Sequence, residues 1–162
     1  MVEIRPQREG DGPALAEILV PIIRAGETYC LDRDMTAAEL VSYWTEPPRR
    51  AFVAAEAGEV LGTYYLRPNQ PGGGAHVCNC GYATRPEAQG RGIARAMLEH
   101  SLAEAKSAGF QAMQFNFVVA SNSRAIALWQ RYGFAEVGRL PRAFAHPREG
   151  LVDALVMYRW LG

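Results

Sequence analysis

The run Gln89-Gly90-Arg91-Gly92-Ile93-Ala94, inside RPEAQGRGIARAM, sets two glycines and an arginine at the mouth of a predicted helix, with Arg95 following. The first N–H groups of a helix lack intrahelical acceptors, and the aligned peptide dipoles add roughly half a positive charge there. Such an end binds anions, phosphates among them. Gly90 and Gly92 put no side chain between backbone and ligand, Ala94 limits crowding, and Arg91 and Arg95 add charge that reaches further phosphates. The run lacks the G-K-[ST] of a nucleoside-triphosphate loop and the G-x-G-x-x-G of a dinucleotide loop. Alone it reads equally as a structural helix start. Asn116 is a second residue of chemical interest, because it interrupts an apolar strand. A buried amide without partners costs on the order of 1–3 kcal/mol, so backbone, water or ligand must satisfy it.

Periodicity gives the elements that must position these residues. VEIRP reads as a strand. DGPALAEILVPIIRAG reads as a helix with Asp11 or Gly12 as N-cap, Pro13 in its first turn, an apolar stripe of Leu15, Ile18, Leu19, Ile22 and Ile23, and a kink at Pro21. A capping box from Thr36 to Glu39 opens a second helix that Pro47 and Pro48 close. AFVAAEAGEVLGTYYLR is a hairpin turning near Ala57-Gly58-Glu59, and HVCNCGYAT is a strand feeding the glycine loop. A helix follows from about Gly90 to Ala108 with Ile93, Met97, Leu98, Leu102 and Ala105 on one face. AMQFNFVV is a strand with Met113, Phe115 and Phe117 on one face and Gln114 and Asn116 on the other. SNSRAIALWQRYGF is a helix capped by Ser121 or Asn122 and ended by Gly133, and strands follow near Phe134–Leu140 and Val152–Trp160. The order β-α-α-β-β-β-α-β-α-β-β predicts an α/β fold, a mixed sheet with helices packed on it.

The length of 162 residues predicts one domain spanning 1–162. Net charge is zero, which offers nucleic acid and anionic membranes no electrostatic footprint. The polar opening MVEIRPQREGDG carries no secretory pattern, and no apolar run approaches the roughly 18 residues of a membrane span. Cys78 and Cys80 share a strand face without a second pair to complete a zinc site, so no metal is expected. Together with Cys30 they read as buried, reduced thiols of a cytoplasmic protein.

In NSRAIALWQRYGF, the residues Asn122, Ala125, Leu128, Trp129, Gly133 and Phe134 resemble the N-x-x-A-x-x-L-Y-x-x-x-G-F pattern of the GNAT superfamily of acyl-CoA-dependent N-acyltransferases. Gln89 to Ala94 resembles that superfamily's [QR]-x-x-G-x-[GA] pyrophosphate loop. Both motifs stand in the family's order, one helix and one strand apart, and the likeness extends over nearly the whole chain. The resemblance implies acetyl-CoA as acyl donor, in a cleft between two splayed strands. Backbone at Tyr82, Ala83 and Thr84 would line the pantetheine and acetyl carbonyl, and Gln89, Gly90, Arg91, Gly92, Ile93 and Ala94 would cradle the pyrophosphate. Asn122 would bond the CoA arm and Ala125 would leave room for it. NCGY, FNFVVASN and GRLPRAF…GLVDALVMYR are similar to a branch that includes fungal N-acetyltransferases of proline analogues such as azetidine-2-carboxylate. By that likeness Asn79 would touch the substrate and Asn116 the reacting amine or acetyl group.

One departure concerns the family's tyrosine, the residue often assigned to protonate the leaving thiolate, for here Trp129 stands in its place. Indole N–H is a donor only and cannot do this. Tyr132, three positions on, is expected on roughly the same helix face as a substitute; a thiolate also leaves without an acid, thiols being far more acidic than alcohols. The implied reaction is attack of a neutral amine on the thioester, which needs positioning, an oxyanion site and a base. Candidate bases are Glu27, Asp32, His76, His146 and Asp153, of which Asp153 stands out in an otherwise apolar strand; a water chain is the alternative. Tyr29 and Arg33, in GETYCLDRDMT, are expected to meet a carboxylate-bearing acceptor. The resulting expectation is an acetyl-CoA-dependent N-acetyltransferase of a small amine, with a protein N-acetyltransferase or a non-catalytic acetyl-CoA sensor as alternatives. A homodimer through the late strand LVMYRWLG is expected from the resemblance.

Overall fold

The computed structural model describes residues 1–162. Its elements follow the predicted order: β1 (Glu3–Pro6), α1 (Gly12–Ala25), α2 (Ala37–Thr45), β2 (Arg50–Glu56), β3 (Glu59–Pro68), β4 (Val77–Thr84), α3 (Ile93–Ser107), β5 (Ala112–Val119), α4 (Ser123–Arg131), β6 (Ala135–His146) and β7 (Gly150–Trp160). One seven-stranded sheet runs β1-β2-β3-β4-β5-β7-β6, antiparallel except where β4 meets β5. No helix is long and apolar enough to cross a membrane.

Helices cover both faces. Leu15, Ile18, Leu19 and Ile23 of α1 bury at helical spacing with Leu40 and Trp44 of α2 against Val53, Tyr65 and Ala83 of the sheet. On the other face Ile93, Met97, Leu98, Leu102 and Ala105 of α3, with Trp129 of α4, pack on Tyr64, Met113 and Phe115. Cys78 and Cys80 belong to this second core, whereas Cys30 is exposed, contrary to expectation. The Thr36–Glu39 capping box forms, with Glu39 N–H on Thr36 Oγ1 at 3.2 Å and Thr36 N–H on Glu39 Oε2 at 2.8 Å.

Three details differ from the sequence reading. Helix α3 begins at Ile93 rather than near Gly90, because Gly90 and Gly92 take φ of 79° and 80°, outside helical space. In β5 the register against β7 slips between Phe115 and Val118, so two residues, Asn116 and Phe117, oppose Val156 alone. This bulge returns Val118, not Phe117, to the face of Met113 and Phe115. Strand β6 runs on past Leu140 to His146 and leaves Val137 and Leu140 exposed at the sheet edge.

The N-terminal strand is pinned to α1 by a forked ion pair, Arg5 Nη1 and Nη2 to the Asp11 carboxylate at 2.8 and 2.9 Å, with Arg8 N–H at 2.7 Å. The hydrogen bond from Arg5 holds the Asp11 carboxyl below its ordinary value. Its contribution to stability is therefore complete above the unfolded carboxyl pKa, near 3.8, and is lost as pH falls through the lower folded value. Asp11→Asn is expected to lower stability at pH 7 by about 1–3 kcal/mol and to flatten the acid limb, as urea melts across pH 2–7 would show.

Candidate active site

Strands β4 and β5 pair only at Val77↔Ala112 and Cys78↔Met113, then diverge. The fork opens a cleft of about 950 Å³ reaching from Arg67 and Asn79 past Tyr82 to Gln89 and Asn122. Along β4, alternate residues turn their backbone to β3, and the Arg85 N–H on Leu61 C=O at 2.8 Å sets the parity. Cys80, Tyr82 and Thr84 thus present N–H and C=O to the cleft, while Ala83 turns its backbone to β3. Just past the last ladder pair, Asn79 bridges the fork with its side chain, donating Nδ2–H to Gln114 C=O at 3.0 Å. Next along the strand the Tyr65 ring lies so close that a Cβ on Gly81 would sit 2.6 Å from it, which reserves that position for glycine.

The exposed β4 edge has one internal partner. Tyr29, from the segment joining α1 to α2, accepts from Tyr82 N–H at 2.9 Å and donates its hydroxyl to Tyr82 C=O. Burial pushes the Tyr29 phenol well up, so it stays protonated. Tyr29→Phe leaves both backbone groups unpaired and is expected to cost about 1–3 kcal/mol of stability in the cofactor-free protein, measured by chemical denaturation.

At the other end of β4 the glycine loop meets α3. Ala96 N–H makes the first intrahelical bond, to Gly92 C=O, and Gly92 provides no side-chain cap. The N–H groups of Ile93, Ala94 and Arg95 precede that bond and have no carbonyl four residues back within the helix. Gly90 and Gly92 have open space where a Cβ would stand, so their positive φ, rather than crowding, is what requires glycine. The Arg91 side chain turns away to pair with Glu56, so of this loop Arg91 offers backbone only. Asn122 occupies the N-cap position of α4 but makes no capping bond, which leaves its amide free beside the cleft, with Ala125 one turn on.

Asn116 sits in the bulge of β5, accepting from Gln114 Nε2 at 2.9 Å and donating to Asn69 Oδ1 at 2.7 Å. Its amide is thus satisfied by side chains while it lines the cleft. Trp129 is buried, with its ring 4.8 Å from Phe115 and 5.1 Å from Tyr82, a packing position at the cleft wall.

Three expected residues are not brought to the cleft. Arg33 folds back on Gly26 and donates to Arg24 C=O at 2.8 Å. Tyr132 is the C-cap of α4 and still donates its N–H to Leu128 C=O at 3.2 Å, but its side chain runs to α3, where its hydroxyl bonds Glu99 and Arg95 Nε donates to it at 2.9 Å. Asp153 closes the interruption of β6 between Leu140 and Phe144, accepting from Arg142 N–H at 2.9 Å and Arg139 Nη1 at 3.1 Å. These bonds hold its carboxyl below the usual range, which makes it a poor base. His146 uses Nδ1 to accept the N–H groups of Arg148 and Glu149 at 3.2 Å, and His76 is exposed at the head of β4. Among the candidate bases only Glu27 lines the cleft, where Arg148 pairs with it.

The cleft's charged lining is Arg67, Arg95, Arg124 and Arg131 against Glu27, four cations to one anion in a chain of zero net charge. Arg67, at the end of β3, joins the cleft without belonging to any of the motifs above; its signal in the sequence is a lone charge closing the apolar run VLGTYYL. The assembly offers backbone donors at a strand fork, unbonded N–H groups at a helix start, and positive charge along the path between them.

Comparison with known proteins agrees with this geometry. The profile of the Acetyltransferase (GNAT) family matches residues 14–134. A GCN5-related N-acetyltransferase from Kribbella flavida is 39% identical and superposes with a TM-score of 0.94 over 98% of this chain and 97% of its own. The N-acetyltransferase aca1 of Schizosaccharomyces pombe is 32% identical, over 83% of this chain and 72% of its own, consistent with the fungal branch that the asparagine segments resemble. The yncA protein of Salmonella typhimurium, whose structure holds its cofactor acetyl-CoA, shares the fold at a TM-score of 0.87 and 20% identity, over 100% of this chain and 95% of its own. The chain belongs to the GNAT family of N-acetyltransferases.

Proposed function

We propose that the protein transfers the acetyl group of acetyl-CoA to a small primary or secondary amine. The observation that carries this reading is the β4–β5 fork, whose strand-free backbone edge, bonded at Tyr82 by the Tyr29 hydroxyl alone, leads directly into the uncapped start of α3 within an arginine-lined cleft. Acetyl-CoA supplies the acetyl group as a thioester. The N–H groups of Ile93, Ala94 and Arg95 and the glycine backbone would hold its pyrophosphate, and Asn122 would hold the pantetheine arm. Thr84 and Tyr82 would orient the arm and the acyl oxygen, Tyr29 giving up the Tyr82 N–H as the acyl group seats. Phe115 and Trp129 exclude water from the wall of the cleft. Asn79 and Asn116 would position the amine on the α1–α2 face, and Glu27, the candidate base that lines the cleft, would take its proton, directly or through water, on release from Arg148.

Thiol release from acetyl-CoA, followed against proline analogues, amino acids, polyamines and short peptides, tests the reading. Selective turnover of a small amine is the expected result. Acetyl-CoA binding without thiol release on any acceptor would contradict acetyl transfer, and turnover of peptides alone would contradict the small acceptor.

A further inference from the structure

Seven arginines of this chain lie within ion-pair distance of a carboxylate: Arg5, Arg50, Arg85, Arg91, Arg95, Arg139 and Arg148. Arg67 does not. It is half-buried in the cleft, and its one side-chain hydrogen bond runs from Nε to Asn79 Oδ1 at 3.4 Å, which leaves both terminal nitrogens without a protein acceptor. Close by, Arg49 has a buried Nε with no partner, and its guanidinium carbon lies 4.0 Å from the Tyr43 ring centroid and 5.2 Å from that of Tyr65. Tyr43 and Tyr65 are both cleft residues. Burial pushes the Tyr65 phenol up to about 12, Tyr43 adds to the rise, and the charges of Arg49 and Arg67 oppose it.

Position separates this cluster from the phosphates of the cofactor. Arg67 pairs with Asn79, three residues before Tyr82 and ten before Gln89, so it stands about 10 Å from Tyr82 on the side away from the glycine loop. It shares the α1–α2 face with Asn79, the proposed acceptor side. The one carboxylate lining the cleft, Glu27, is held by Arg148. A partly desolvated guanidinium without a counter-ion is costly, and its planar fork matches a carboxylate in two parallel hydrogen bonds.

We infer that Arg67, backed by Arg49 on the Tyr43 and Tyr65 rings, reads a carboxylate on the acceptor, which makes the acceptor an amino or imino acid rather than a simple amine or a protein N-terminus. The inference rests on the acetyltransferase reading of the cleft and assigns a new site at its acceptor end. Arg67 takes the role that Arg33 cannot fill.

The test uses the whole protein saturated with CoA. Proline, prolinamide and pyrrolidine, and alanine, alaninamide and ethylamine, are titrated by calorimetry, and thiol release from acetyl-CoA is measured with the same six compounds. The acids are expected to bind roughly 10–100-fold more tightly than their amides and decarboxylated amines. Arg67→Gln is expected to bring acid and amide within about threefold of each other, and Arg67→Lys to retain part of the preference. Wild-type protein that binds amides and amines as tightly as acids overturns the inference, whether or not Arg67→Gln folds. So does an Arg67→Gln protein that weakens all three members of a set alike. Acids that bind through Arg67 without thiol release uphold the carboxylate site and refute acetyl transfer. Thiol release that ignores the carboxylate upholds acetyl transfer and refutes the site.

Discussion

Phe115→Ala is expected to lower the unfolding free energy by about 3–5 kcal/mol, a large share of the roughly 5–15 kcal/mol typical of a domain. Phe115 is 5% exposed and stacks on Phe134 at 4.4 Å and 16°, with Trp129 at 4.8 Å and Tyr82 edge-on at 6.0 Å. Those neighbours are anchored on β4, on α4 and at the start of β6, so they cannot close together on the vacated volume. The same ring lines the cleft, so acetyl-CoA affinity is expected to fall with stability. Urea melts of Phe115→Ala and Phe117→Ala check the account together. Phe117 lies half-buried across the bulge, facing Phe144 at 6.2 Å, and its loss is expected to cost clearly less. Equal losses would contradict the register slip in β5.

Gly92→Val is expected to weaken acetyl-CoA binding at least tenfold. A β-branched residue at φ 80° is strained by about 1–3 kcal/mol, and the chain relieves that strain by turning the peptide units around it. Those units aim the first N–H groups of α3. Each charge-assisted bond to a phosphate is worth about 1.5–3 kcal/mol, so misdirecting even one accounts for the predicted loss. The substitution sits on the surface, with open space around the added Cβ, so the fold should survive. Calorimetric titration of acetyl-CoA, with circular dichroism as the check on folding, measures the effect. Unchanged affinity in a folded variant would remove the loop from the binding site.

Local sequence carried much of this structure because local chemistry specifies it. The stripe of α1, the Thr36–Glu39 box and the glycine loop depend on neighbours within a few positions. What escaped depends on partners distant in sequence. AMQFNFVV alternates cleanly on paper, yet its pairing with β7 inserts the bulge at Asn116 and Phe117. Asp153 reads as a polar residue in an apolar strand with chemistry to do, and instead closes the irregular turn of β6 around Arg142, at φ 53°. Helical spacing puts Tyr132 near Trp129, but its hydroxyl is taken by Glu99 and Arg95 of α3, partners more than thirty residues away in sequence. Arg33 and Arg67 show the same limit from both sides. The first finds a carbonyl in α1, while the second, an unremarkable end to a hairpin strand, is delivered to the cleft by the cross-strand pair with Asn79.

The central claim is that backbone N–H groups at the end of β4 and the start of α3 receive acetyl-CoA, and amide hydrogen exchange reads those groups directly. With saturating acetyl-CoA, exchange is expected to slow in peptides covering Ala83–Arg95 and Ser121–Ala125, while the β6–β7 hairpin stays unchanged. Protection confined to another region, or none at all with the cofactor bound, would contradict the account.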